Sequence, residues 1–214
     1  MHEIEENLTF YERGPSKWQV MLFGANSEVE DALLRHGRWN IHVYDDDPTA
    51  VVLSGKWAGD WDRAICTVKA QQDVHFWIIC GVCSRPRSRA AAIDVIEHAL
   101  VGCKNWTWKG IQSEAALVSP YAVVDPTALI LDRALVMGAT EIGKHAVLLP
   151  GAKLYHYSTV GEGAILVGGC TVLGRVRVGR GAWICGGAVV VPDSVIEDGA
   201  IVPAGTTYRP LKKE

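Results

Sequence analysis

Three short polar segments in the first ninety residues carry groups suited to a phosphorylated ligand. Gly24-Ala-Asn26-Ser27 leads into a stretch in which Ser27 and Glu30 have the spacing of a capping box. The free amides of such a helix start attract phosphate, although a plain cap fits the same residues. Asp45-Asp46-Asp47 offers carboxylates able to accept hydrogen bonds from ribose hydroxyls or a base edge, or else acids of a solvated turn. Ser84-Arg85-Pro-Arg87-Ser-Arg89 gathers three guanidinium groups, which reach a diphosphate or simply solvate a helix start. Cys80-Gly81-Val-Cys83 has the spacing of a redox pair, but Cys80 closes an apolar run and reads as a core thiol. Trp57 and Trp61 are candidates to stack on a nucleobase, with core packing expected for most of the seven tryptophans at 18, 39, 57, 61, 77, 106 and 108.

The elements around these segments set where they fall. Residues 18–23 form an apolar run ending at Gly24, residues 29–35 have a helical pattern, and residues 41–44 read as a second strand, together a βαβ unit. A third apolar run, 75–82, precedes Pro86 and a helical stretch over 88–100. The pattern predicts a small Rossmann-like α/β domain over residues 1–114, a parallel sheet flanked by helices. Such sheets bind ligands at the carboxyl ends of their strands, where all three polar segments lie.

From residue 115 the pattern changes to a period of six. An aliphatic residue recurs at Val118, Val124, Ile130, Val136, Ile142, Leu148, Leu154, Val160, Leu166, Val172, Val178, Ile184, Val190, Ile196 and Val202. Four residues after each stands a residue small at nearly every repeat, Val176 being the one bulky exception. One large and one small inward residue per six describe a short strand and a corner, and three such units close one triangular coil. Residues 115–214 are therefore expected to form an all-β, left-handed parallel β-helix of five coils with a short C-terminal tail. Gly143-Lys144, Gly161-Glu162-Gly163, Gly179-Arg180-Gly181 and Asp198-Gly199 supply corner residues that tolerate a left-handed backbone.

Composition narrows the function classes. A chain of 214 residues that is 49% hydrophobic is ordinary for a folded protein, and a net charge of -3 lacks the field of a nucleic-acid binder. No basic segment precedes an apolar stretch at the N-terminus, and no window approaches the ~18 apolar residues of a membrane span. Six cysteines without framework spacing agree with reduced thiols, so the expected location is the cytoplasm, with no membrane insertion and no nucleic-acid partner. A zinc carbonic anhydrase on the same fold needs three converging histidines, and the repeat contains two, His145 and His156. No metal is expected.

The order of parts resembles the sugar O- and N-acyltransferases of the sialic-acid and bacillosamine type, within the hexapeptide-repeat superfamily. The junction Leu117-Val-Ser-Pro-Tyr-Ala122 followed by Val123-Val-Asp-Pro-Thr-Ala128 carries the most specific likeness, and Leu154-Tyr-His156-Tyr-Ser-Thr-Val-Gly-Glu162 is similar to the segment holding that family's catalytic histidine. The resemblance implies an acyl-CoA-dependent acyltransferase, with acetyl-CoA as donor and a nucleotide-linked amino sugar as acceptor, acting as a homotrimer in polysaccharide biosynthesis. His156 falls on the catalytic position, where a neutral imidazole is well matched to take a proton at pH 7. Gly24, Asp45 with Asp46, and Gly81 with Arg89 sit at places comparable to the family's sugar-nucleotide loops, to which Asn26 and Ser27 belong. Backbone amides near Gly168-Gly169 and Gly186-Gly187 are expected to hold pantetheine and the thioester oxygen, and Arg175, Arg177 and Arg180 to meet nucleotide phosphates. The sequence departs from the family at Tyr157, where an acid follows the histidine, at Leu149, a polar place, and at Ile165, the place of a second histidine. Tyr155, Tyr157 or Glu162 is then left to orient the base. A trimeric scaffold that has lost catalysis is the competing reading, motivated by those substitutions.

Overall fold

The computed structural model describes residues 18–23, 29, 31–32, 35, 41–44, 57–81 and 86–209, with backbone only at 18, 23, 57 and 86–92. In the N-terminal part, β1 (Trp18–Phe23), β2 (Ile41–Tyr44), β3 (Trp57–Gly59), β4 (His75–Cys80) and β5 (Trp106–Trp108) form one parallel sheet in the order β3-β2-β1-β4-β5. The strand order reverses between β1 and β4, whose carboxyl ends lead to Gly24 and Gly81. A helix, Trp61–Ala70, starts at Asp60, whose side chain accepts the Arg63 backbone N–H at 2.9 Å. A second, Pro86–Ala99, starts on a proline, which the first turn tolerates because its N–H would have no partner there. Both helices pack on one side of the sheet around Met21, Phe76 and Ile78, while Val29 and Ala32 of a helical stretch pack on the other.

Strands of two residues each then run from β6 (Ile111–Gln112) to β22 (Thr207–Tyr208), stacked in three parallel sheets. Every pairing has the same register, such as Leu135 with Lys153 and Leu154 with Val172, so each residue stands over the one eighteen further on. The stack starts at Ile111, one hexapeptide ahead of the aliphatic repeat. The polar Gln112 occupies the aliphatic place there and hides the first unit from a search for apolar periodicity.

The fifteen periodic aliphatic residues form the interior as expected. Thirteen are buried, and Val118 and Val124 in the first coil are half-buried against the same cluster. Small residues between them, Ala146, Ala164, Cys170 and Ala188 for example, are fully covered and let the three walls close. Each wall stacks like on like, so stability accumulates along the axis from neighbour to neighbour. No helix of the described residues is long and apolar enough to cross a membrane.

Leu166 stacks between Leu148 and Ile184 and is wholly buried, whereas Ile201 is 57% exposed. Leu166→Ala is expected to lower the unfolding free energy by about 2–5 kcal/mol in a denaturant titration. Ile201→Ala should stay within about 0.5 kcal/mol of the parent. Equal effects would contradict the stacked core.

Candidate active site

The three corners of each coil become three edges of the prism, and the site residues sort onto them. The first edge carries 132–133, 150–151, 168–169, 186–187 and 204–205, the second 138–139, 156–157, 174–175 and 192–193, the third 144–145, 162–163, 180–181 and 198–199. Each corner is a tight turn, for example Leu131 to Ala134 closed by Ala134 N–H on the Leu131 carbonyl at 3.1 Å. Its third residue has a positive φ throughout from residue 133 to residue 205, at glycine in seven coil corners and at Arg133, Ala139, His145, Tyr157, Arg175 and Asp193 in the others. A left-handed side chain costs about 1–3 kcal/mol, and here the repeat imposes it everywhere, so it is a property of the architecture and not of one site.

His156 and Tyr157 stand side by side on the second edge. The imidazole is half-buried, and the Tyr157 ring meets it edge-on with centroids 5.5 Å apart while remaining 66% exposed. The His156 carbonyl accepts the Arg175 N–H at 3.0 Å, which locks the backbone of the corner. No hydrogen bond joins the imidazole to another described residue of the chain. Glu162 lies one corner further round, on the third edge, where it faces Arg180 at 3.6 Å and not His156. The chain thus brings His156 and Tyr157 together and leaves Glu162 apart.

The other expected contacts are distributed in the same way. Gly168, Gly169, Gly186 and Gly187 form a bare strip on the first edge. A Cβ on Gly168 would lie 2.7 Å from the Pro150 carbonyl oxygen, so close backbone approach already requires glycine there. Arg175 is on the second edge, Arg177 on the outer face beside it, and Arg180 on the third edge. Arg175 is engaged by Asp193 through two bonds of 2.6 and 2.8 Å, and the same pairing holds the Asp193 carboxyl below its ordinary range. A groove of about 750 Å³ runs over the face between the second and third edges, lined by Glu141, Lys144, Thr159, Arg177, Arg180 and Asp198.

The N-terminal sheet docks on the face between the third and first edges, opposite His156. Val20, Leu22, Ile41, Val43 and Ile79 of the sheet bury against Ile111, Leu129, Val147, Leu149 and Ile165 of the prism. Leu149 and Ile165 therefore do not surround His156 within the chain: they are 6% and 2% exposed and seal the junction, which accounts for their apolar character. Polar contacts border this seam on both sides. On the first edge Asp132 binds Arg35 and accepts the Ser113 hydroxyl at 2.5 Å. On the third edge His145 lies 4.0 Å from Glu97, with the Trp108 ring 4.7 Å away and Trp108 donating to Glu97 at 3.0 Å. His145 is only 2% exposed, so this corner is closed by the seam.

Of the sugar-nucleotide residues, Gly24, Asn26, Ser27, Asp45 and Asp46 lie outside the described residues. Gly81 is buried directly after β4, and Arg89 belongs to the helix Pro86–Ala99 with its side chain outside the description. Trp61 packs against the apolar cluster beneath the helices, a core role, and the Trp57 side chain is not described. Cys80 and Cys170 are buried, and burial pushes the Cys170 thiol up to about 12, so no thiolate forms there at neutral pH. Among the described residues no three metal-ligating side chains converge, and His145 and His156 occupy different edges.

No family model and no curated protein matches the chain. Solved structures do. The acetyltransferase domain of PglB from Neisseria gonorrhoeae FA1090 superposes with a TM-score of 0.75 at 16% identity, covering 90% of this chain and 91% of that one. The same domain in complex with acetyl coenzyme A gives 0.73 at 17% identity, over 88% and 89%. A mutant GDP-perosamine N-acetyl transferase from Caulobacter crescentus, in complex with CoA and GDP-perosamine, gives 0.65 at 20% identity, over 86% and 92%. The chain is similar to these proteins in fold along nearly its whole length.

His145→Ala should lower stability by about 1–3 kcal/mol, the usual span for losing a buried side chain with its partners. The loss is read as an earlier thermal or denaturant midpoint. No change in the midpoint would contradict the third-edge contact with Trp108 and Glu97.

Proposed function

We propose that the chain is an acyl-CoA-dependent acyltransferase, with acetyl-CoA as donor, a nucleotide-linked amino sugar as acceptor, and His156 as general base in a homotrimer. The observation that carries this reading is the placement of His156 on the edge opposite the face covered by its own N-terminal sheet. Any ligand held by that sheet is on the far side of the prism from its own imidazole, so the acceptor must reach the His156 of another copy. Five of the nine large apolar side chains exposed among the described residues lie along this edge and its flanks: Leu117, Tyr121, Val123, Met137 and Tyr157. Such a strip marks a surface that a neighbouring copy covers, and closed three-fold packing suits a three-sided prism. The solved relatives bound to acetyl coenzyme A, and to CoA with GDP-perosamine, support the donor and the acceptor class.

In this reading the N-terminal sheet is a Rossmann-like unit that holds the sugar nucleotide. Its strand order reverses between β1 and β4, and the crevice outside their carboxyl ends is where such sheets bind nucleotides. The segments at Gly24-Asn26-Ser27, Asp45-Asp46 and Gly81-Arg89 serve it. Across the copy boundary the bare amides of Gly168, Gly169, Gly186 and Gly187 take the pantetheine arm, and Arg177 and Arg180 are available for CoA phosphates. His156 takes the proton from the sugar amine or hydroxyl as that atom attacks the thioester carbonyl. The tetrahedral intermediate then expels the CoA sulfur, which recovers the proton from the imidazolium.

Among the described residues no carboxylate bonds the His156 imidazole, which favours a second reading, a trimeric scaffold of the same fold with impaired catalysis. One experiment separates the two. Acetyl-CoA offered with UDP-, dTDP- or GDP-linked amino sugars should release free thiol, and His156→Ala should lower that turnover by about 10² to 10⁴, the worth of a positioned base. No thiol release from any acceptor supports the scaffold, and equal turnover in the variant removes His156 from the chemistry.

A further inference from the structure

A general base needs a fixed direction, and no hydrogen bond from another described residue supplies one to the His156 imidazole. A feature that does constrain its ring is the corner of the next coil. Gly174 stands eighteen residues on, at the same place in the next coil, and is buried. A Cβ built on Gly174 would lie 2.8 Å from Nε2, 3.0 Å from Cε1 and 3.2 Å from Cδ2 of His156. Three ring atoms therefore occupy the space that any other residue would fill with its own side chain.

Two comparisons along the same edge isolate this contact. Gly138 holds the matching place one coil above, and a Cβ there would meet Ser119 Oγ at 3.3 Å and Tyr121 Cβ at 3.7 Å, with no His156 atom among its nearest neighbours. Gly174 is also absent from the positive-φ positions, so its backbone makes no demand for glycine. Room for the imidazole is what distinguishes the position. Tyr157 also meets the ring edge-on, with centroids 5.5 Å apart.

We infer that Gly174 is a positioning residue for His156: its missing side chain seats the imidazole against the prism edge and fixes the ring's direction, a task elsewhere given to a carboxylate. The inference rests on the reading of His156 as the base. A Cβ at 174 forces the ring outward by rotation about its χ angles, and a displacement near 1 Å at a reacting group costs about 10²-fold in rate.

The test uses the full chain carrying Gly174→Ala, Gly138→Ala, His156→Ala, and the double variant His156→Ala/Gly174→Ala. Gly174→Ala is expected to lower kcat about 10²-fold with little change in KM for acetyl-CoA, and to add nothing in the His156→Ala background. Gly138→Ala should match the parent. A rise in KM without loss of kcat, an equal loss in both backgrounds, or no loss at all overturns the positioning role. The ring itself is followed by NMR of histidine-labelled protein, in which the His156 imidazole signals should move in Gly174→Ala and stay in place in Gly138→Ala. Should His156→Ala turn over like the parent, the base reading fails on that result alone, while the NMR shift still decides whether Gly174 seats the ring. Should Gly174→Ala fail to fold, the double variant is expected to recover folding because the clash is gone, and no recovery overturns the inference.

Discussion

Parallel register at a constant eighteen-residue interval is the constraint on which everything else in this molecule depends. Because each residue stacks on the residue one coil below, a position in the sequence becomes a position on one edge or one face of the prism. Inward aliphatic residues then pack like on like, and corner residues line up in columns whose third member must accept a left-handed backbone. Chemistry on such a scaffold is decided by column. His156 shares its edge with Tyr157, Gly174, Arg175 and Asp193, whereas Glu162, six residues away in sequence, is separated from it by a whole face.

The second organising element is the seam between the two units. Its centre is apolar, from Val20 and Ile79 on the sheet to Val147 and Ile165 on the prism, and burial there contributes about 25 cal/mol per Å² removed from water. Polar contacts at its two borders, Arg35 with Asp132 and Trp108 with Glu97 and His145, add direction to an attraction that has none of its own. The seam thereby holds the sheet opposite the edge that bears His156. In the proposed enzyme this is why acceptor and base come from different copies.

Much of this was legible in the sequence where a strict period enforces it. Fifteen aliphatic residues at six-residue intervals define the β-helix, and β1, β2, β4 and the helical stretches follow from ordinary apolar patterning. The three-residue strands β3 and β5 escaped because so few residues, two of them tryptophans in β5, display no alternation, whereas the ten-residue helix Trp61–Ala70 went unread although its buried Ala64, Ile65 and Val68 have helical spacing. The site was legible residue by residue but not in its grouping. Burial of His145, Leu149 and Ile165 comes from a seam between distant segments, which local pattern does not encode. The role of Gly174 was hidden for a similar reason: among 22 glycines, its distinction is a ring eighteen residues earlier in the chain.

The central claim, that acyl transfer takes place at the His156 edge between two copies, is tested most directly by a crystal structure with acetyl-CoA bound. The account predicts pantetheine running between two prisms, with the thioester carbon about 4–6 Å from a His156 imidazole nitrogen, room for the attacking atom between them. Acetyl-CoA lying on a single chain, with its thioester away from every His156, would contradict it.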